Sequence, residues 1–166
     1  MRQLPDFEQV NALPTIFKGT VAPEYIDMNG HMNIKHYLEF GANSTSALCD
    51  DALVTTGYIA ERGMGVFTAE HHLQYLGELR EGDAFSTHAR TLDRSDKAIH
   101  VVSFLLDRER NKISNIFETL LVHMDMATRR PTPFPDDVAA LFDKQIAASN
   151  FLGWEAPTSG AIGIRR

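Results

Sequence analysis

Three consecutive stretches alternate apolar and polar residues with only short turns between them, and nothing else in the chain constrains its fold as strongly. In Ala84 to Leu92, Phe85, Thr87, Ala89 and Thr91 fall on one side, and Ser86, His88, Arg90 and Leu92 on the other. Ala98 to Leu106 sets His100, Val102, Phe104 and Leu106 against Ile99, Val101, Ser103 and Leu105. Lys112 to Met126 places Ile116, Leu120, Val122 and Met124 together. Side chains of a strand alternate with period two, so each run predicts a strand. The links Asp93-Arg94-Ser95-Asp96 and Arg108-Glu109-Arg110-Asn111 are too short for a crossover helix, so the three strands form an antiparallel meander. The middle run is apolar on both faces, as a central strand would be. Two further segments have strand character: Ile16 to Val21, ending before Pro23, and Val66 to Leu76, ending at Gly77 and followed by an Arg80-Glu81-Gly82-Asp83 turn.

Between the first two strands, Tyr37, Leu38, Gly41, Thr45, Leu48, Cys49 and Ala52 recur at three- and four-residue steps, which predicts one buried face of a helix from Ile34 to about Leu53. Gly41, Ala42, Ser44, Ser46 and Ala47 give that helix a small girth, so a sheet can curl closely around it. Pro131, Pro133 and Pro135 stop the sheet, and Val138, Leu141, Phe142 and Ile146 form a stripe on a short helix beginning near Asp136. Residues 1–14 are polar with two prolines and read as a surface arm or a short helix, and the tail from Gly153 has few regular signals. The expected class is therefore α+β: a five-stranded antiparallel sheet wrapped around one long central helix, with a short C-terminal helix. At 166 residues the chain fits a single domain over 1–166, with a core of about 15–127 and the C-terminal helix and tail over 131–166. A five-stranded sheet around one helix leaves a face and an edge strand uncovered, so pairing with further copies is expected.

Chemistry concentrates in Asp27-Met28-Asn29-Gly30-His31-Met32-Asn33. Asn-Gly favours a tight turn because glycine tolerates positive φ, and Asn33 suits the N-cap of the helix that follows. An acidic side chain thus stands next to a helix start, where unpaired N–H groups and a partial positive charge can hold a developing oxyanion. Asp27 can act there as base or nucleophile, a combination that suits attack on an acyl group. The plainer alternative is that Asp27 does no more than cap its own turn. His31 is placed to orient Asp27 or to touch a substrate, whereas His36 reads as a helix-surface group. His71 and His72 are consecutive strand residues facing opposite sides, so they do not make a metal pair, and no metal site is expected.

Other classes fit less well. A formal net charge of -6 without a dense Lys/Arg run argues against nucleic acid as partner. The single cysteine, Cys49, cannot close an internal disulfide and reads as a buried hydrophobe, as in a reducing cytoplasm. The start lacks the pattern of an export signal, and no apolar run approaches membrane-spanning length. There is no G-x-S-x-G elbow and no phosphate-binding glycine loop.

The arrangement D-x-x-G-H-x-N-x-x-x-Y, carried here by Asp27, Gly30, His31, Asn33 and Tyr37, resembles the hotdog-fold acyl-CoA thioesterases of the 4-hydroxybenzoyl-CoA thioesterase type over roughly Thr15 to Met126. Asp27–Asn33, with Phe67-Thr68-Ala69-Glu70-His71-His72 and Leu121-Val122-His123-Met124-Asp125, is similar more narrowly to the betainyl-CoA thioesterase module found with carnitine dehydrogenases. The resemblance implies hydrolysis of a small acyl-CoA, with no cofactor, by a homodimer or homotetramer. It implies Asp27 as base or nucleophile and the backbone amide of Ile34 as oxyanion donor, with Asn33 and His31 supporting them. Gly30, Tyr37, Glu70 and Phe67 would then line the substrate, Glu70 meeting a quaternary ammonium beside ring faces from Tyr75, Phe67 or Trp154. Arg94 and Lys97, with Arg129 and Arg130 as further candidates, would meet CoA phosphates. The family often has another charged residue shortly before the aspartate, and here Glu24 and Tyr25 stand nearby without a clean match. A non-catalytic acyl-CoA sensor and a hotdog hydratase or dehydratase are the alternatives.

Overall fold

The small side chains of the long helix let the sheet close on it. The computed structural model describes residues 4–165, so residues 1–3 of the expected N-terminal arm and Arg166 lie outside the described residues. The strands are β1 (Phe17–Thr20), β2 (Met64–Tyr75), β3 (Ala84–Arg94), β4 (Ala98–Asp107), β5 (Lys112–Asp125) and the two-residue β6 (Arg130–Pro131). The helices are α1 (Phe7–Asn11), α2 (Ile34–Asp51), α3 (Tyr58–Arg62) and α4 (Asp136–Asn150), with a 3-10 turn at Pro23–Tyr25. All pairings are antiparallel, in the order β1-β3-β4-β5-β2, with β6 added beside β5. This is the curled α+β sheet around a long helix that the pattern of runs predicts.

Gly41 marks the closest approach. A Cβ built there would lie 2.5 Å from Cγ of Phe117 on β5, and the Gly41 carbonyl accepts a hydrogen bond from the Ser103 hydroxyl on β4 at 3.3 Å. The inner face of the sheet therefore carries Val101, Ser103, Leu105 and Phe117 against α2. Its outer face carries Val102, Phe104, Leu106 and Ile116, covered by Val10 and Leu13 near α1 and by Leu152, Trp154 and Ala156 of the tail. The N-terminal segment is thus more than a surface arm. Asp6 caps α1 in a reciprocal capping box with Gln9, and Val10 and Leu13 are buried against the sheet.

Four features of the fold depart from the pattern that the sequence predicts. The sheet gains a sixth strand, β6, in which Pro131, expected to stop the sheet, pairs with Met124 of β5. Helix α3 sits between Gly57 and Gly63, too short for its periodicity to register. His36 is buried against the Tyr25 ring at 4.3 Å instead of lying on the helix surface. The pairing of β2 with β5 slips between Thr68 and Glu70, so the alternation of inner and outer residues changes phase midway along β2.

Two buried histidines lock elements together. A carbonyl can only accept, so Nδ1 of His123 donates to Thr132 O at 2.8 Å and Nε2 accepts from the Tyr58 hydroxyl at 3.0 Å. His88 likewise donates from Nδ1 to Leu13 O and accepts from Ser86. Burial pushes the pKa of both below the ordinary histidine value. In the window between the lowered folded values and the unfolded value near 6.5, the unfolded chain binds more protons, so stability rises with pH there and falls on acidification. Urea midpoints measured from pH 7.5 down to pH 5.5 should therefore decrease. A midpoint that stays constant or rises on acidification contradicts the neutral, buried assignment.

Candidate active site

The turn ahead of α2 is built by local hydrogen bonds that its sequence dictates. The Asp27 carboxylate accepts from Asn29 N at 2.8 Å, the Asp27 carbonyl accepts from Gly30 N at 3.0 Å, and Gly30 takes φ +80°. A side chain at that φ would be strained, which is the reason for glycine. Asp27 N then donates to His31 O, and Ile26 and Met32 form an isolated antiparallel bridge that closes the loop. Asn33 caps α2 as its position predicts: its side chain accepts from Lys35 N at 3.0 Å, and its carbonyl accepts from His36 N. Ile34 is the first helical residue, where an amide has no carbonyl partner within the helix.

The turn is held to the sheet through Tyr37. Its hydroxyl accepts from Leu79 N at 3.0 Å and donates to Gly77 O at 3.4 Å, while Leu79 O accepts from Met32 N at 2.7 Å. Burial raises the Tyr37 phenol above its usual pKa, so the hydroxyl keeps its proton. The chain after β2 is thus tied to the first turn of α2 and, through Met32, to the Asp27 loop. Replacing Tyr37 with phenylalanine leaves the fully buried Leu79 N–H unpaired, at a cost of about 1–3 kcal/mol. The Y37F melting midpoint should fall by about 2–4 °C per kcal/mol lost. An unchanged midpoint would show that the hydroxyl does not hold the loop.

Beside these groups lies a cavity of about 320 Å³ lined by His31, Met32, Ile34, Tyr37, Tyr75 and the Leu76–Glu78 segment. Asp27 Oδ1 is 3.9 Å from His31 Nδ1, and the two side chains are 17% and 31% exposed, so both are within reach of a ligand. The structure therefore brings together Asp27, Gly30, His31, Asn33, the Ile34 amide and Tyr37. Leu79, whose amide and carbonyl join Tyr37 to the Asp27 loop, carries no sequence signal, because only its backbone takes part.

The other candidates lie elsewhere in this chain. Phe67 and Glu70 pair with Val122 and Leu120 on the outer face of the sheet, away from α2, and the Phe67 ring meets the Arg129 guanidinium at 5.5 Å. They are not brought to the cavity that His31 and Ile34 line beside the Asp27 turn, because the register slip puts Tyr75 inward while Phe67 points outward. Trp154 also belongs to the outer face, against Phe104 and Arg90. Arg94 ends β3 roughly 30 Å along the strand from Ala84. Its guanidinium pairs with Asp143 through two hydrogen bonds of 2.6 Å. Lys97 is in the following turn, at the same far end of the sheet. Among the described residues no helix is long and apolar enough to cross a membrane, and no cluster of His, Cys, Asp or Glu could hold a metal ion.

A second cavity, of about 310 Å³, opens beside the C-terminal half of α2, between Thr45, Cys49 and Asp50 and the inner side of β2 at Val66, Thr68 and His71. Cys49 is a buried thiol, pushed up to about 12 by burial and then by the neighbouring Asp50 charge. It is not a nucleophile at neutral pH.

Residues 21–142 match the family described as the thioesterase-like superfamily. The betainyl-CoA thioesterase of Pseudomonas aeruginosa is 28% identical over 150 residues, covering 90% of this chain and 94% of that protein. The L-carnitine dehydrogenase/betainyl-CoA thioesterase of Ruegeria pomeroyi is 31% identical over 168 residues, covering 99% of this chain and 33% of that protein. The chain thus spans about a third of the length of that relative, and 23% of the length of the protein of the same description from Rhizobium meliloti. A Staphylococcus aureus protein solved in complex with CoA shares the fold with a TM-score of 0.77 at 23% identity, covering 93% of this chain and 96% of that one.

Proposed function

Because the chain belongs to the thioesterase-like superfamily, we propose that it hydrolyses a small acyl-CoA, betainyl-CoA in particular, to the free acid and CoA. The observation that carries this reading is the Asp27 carboxylate held by its own turn next to the capped start of α2. In the proposed reaction the thioester carbonyl points its oxygen at the Ile34 N–H, whose dipole favours the charge that develops there. Asp27 either takes a proton from water, so that the hydroxide attacks the carbonyl carbon, or itself attacks that carbon to give a mixed anhydride, which water then hydrolyses to the free acid and the restored Asp27 carboxylate. In both routes the C–S bond breaks as the oxyanion collapses, and CoA leaves as the thiolate. Asn33 fixes the helix start, His31 lines the approach to Asp27, and Gly30 and Tyr37 hold the loop. The betainyl preference draws support from the activity for which the relatives are named.

The active unit in this reading is a dimer. β2 is one edge of the sheet and, at twelve residues against four for β1, the longer one; its Phe67–His71 segment is exposed, so its unpaired backbone groups are a template for a second copy. An antiparallel β2–β2 seam would also carry the far-end cations, Arg94 and Lys97, towards the partner's Asp27. A size measurement at micromolar concentration should give a dimer or a tetramer, and a monomer would count against the seam.

Thiol release across a panel of betainyl-, benzoyl-, short-chain and long-chain acyl-CoAs tests the proposal. Turnover, greatest with betainyl-CoA, is the expected result. Binding without turnover would point to a sensor, and no thiol release from the panel together with loss of the enoyl absorbance of an added enoyl-CoA would point to a hydratase.

A further inference from the structure

The second cavity has a definite electrostatic character. Three of its lining residues titrate: Cys49, Asp50 and His71. The Cys49 thiol keeps its proton at neutral pH, and the partial burial of the otherwise exposed His71 ring against Phe117 lowers its pKa, so that ring is neutral. No lysine or arginine is among the lining residues, which leaves the Asp50 carboxylate as the formal charge. Its field reaches the interior, since the same carboxylate helps to raise the Cys49 thiol. The remaining wall offers the Phe117 ring, 4.6 Å from the His71 ring, and the hydroxyls of Thr68 and Thr119. One carboxylate with aromatic and hydroxyl walls suits a compact cation without N–H donors, because such a cation is drawn to negative charge and ring faces and asks for no hydrogen-bond acceptor. An anionic acyl group would meet repulsion.

This cavity cannot serve the Asp27 of its own chain, since α2 separates Asn33 from Cys49 by roughly 25 Å. It can serve the partner's Asp27. Tyr37, early in α2, meets Tyr75 at the end of β2, whereas Thr45 and Cys49 share the cavity with Thr68 and Val66 near its start. Helix α2 therefore runs antiparallel to β2. A two-fold seam along the β2 edge then sets the end of one α2 opposite the start of the other, and this cavity beside the partner's Asp27 turn.

We infer that Asp50 is the specificity-determining residue: its carboxylate receives the cationic end of the acyl group while the partner's Asp27 reaches the thioester. The inference rests on the acyl-CoA thioesterase and dimer readings above. It is tested by kcat/KM for betainyl-CoA and for its neutral isostere 3,3-dimethylbutyryl-CoA, in which carbon replaces the quaternary nitrogen. Wild type should favour betainyl-CoA by about tenfold or more, the increment expected of one charge and ring contact once the seam covers the Asp50 carboxylate, which is exposed in the single chain. Asp50→Asn should shrink that ratio about tenfold and Asp50→Lys should lower it further, with the loss falling on betainyl-CoA and not equally on the isostere. The isostere also reports whether each variant is folded. A wild-type preference for betainyl-CoA that both variants retain overturns the inference alone. A wild type that favours the isostere overturns the inference and the betainyl preference together, while acyl-CoA hydrolysis stands. A wild type that hydrolyses neither overturns the inference as well.

Discussion

Asp27→Asn is expected to lower thiol release from the preferred acyl-CoA by on the order of 10²–10⁴ while the protein stays folded. The amide is nearly the same shape as the carboxylate, and its oxygen can still accept the 2.8 Å hydrogen bond from Asn29 N, so the turn survives. What is lost is the negative charge. An amide oxygen neither takes a proton from water at neutral pH nor attacks a thioester carbon, so both routes fail together. Circular dichroism and a melting curve like wild type, combined with the rate loss, would place the effect on chemistry. Full retained activity would remove Asp27 from the mechanism.

Gly41→Leu is expected to abolish the folded state, and Gly41→Ala to weaken it. Alanine in a helix interior is normally worth about 1 kcal/mol over glycine, so a free helix surface would gain from the change. Here the added Cβ would lie 2.5 Å, 2.8 Å and 2.9 Å from Cγ, Cβ and Cδ1 of Phe117, which is itself fully packed. Inserting atoms into a filled core costs about 1–3 kcal/mol for small increments, which offsets or exceeds the helix gain. Leucine adds three more carbons at a place where α2 already rests on β4 and β5, so the helix must move off the sheet. The sign for alanine is the sharper check, and it is read directly from thermal midpoints. A Gly41→Ala variant that melts above wild type would mean that α2 is not held this close to Phe117.

Much of this could be read in the chain because periodicity and turn chemistry act locally. The alternation in β3, β4 and β5, the small-residue face of α2 and the capping position of Asn33 each follow from side-chain size and spacing, and each has its counterpart in the structure. The site turn was legible for the same reason, since Asp27, Gly30 and Asn33 work through bonds within a few residues of themselves. What escaped depends on contacts distant in sequence. The slip between Thr68 and Glu70 has no signature in β2 and is set by its pairing with β5, yet it decides which of Phe67, Glu70, His71 and Tyr75 face α2. His36 looks like a surface residue on a helical wheel and is buried only because the Tyr25 segment folds over it. Likewise Arg94 reads as a free loop cation until α4 brings Asp143 to it. The cavity at Asp50 joins α2 to β2 and β5, and no single stretch of sequence contains it.

A structure of the Asp27→Asn variant with its acyl-CoA bound bears on the central claim most directly, because that variant should hold the substrate without consuming it. The thioester carbonyl oxygen is expected within hydrogen-bond distance of the Ile34 amide, and the side chain at position 27 about 3–3.5 Å from the carbonyl carbon or from a water poised to attack it. A thioester bound away from the start of α2, with position 27 out of reach, would contradict the proposed chemistry.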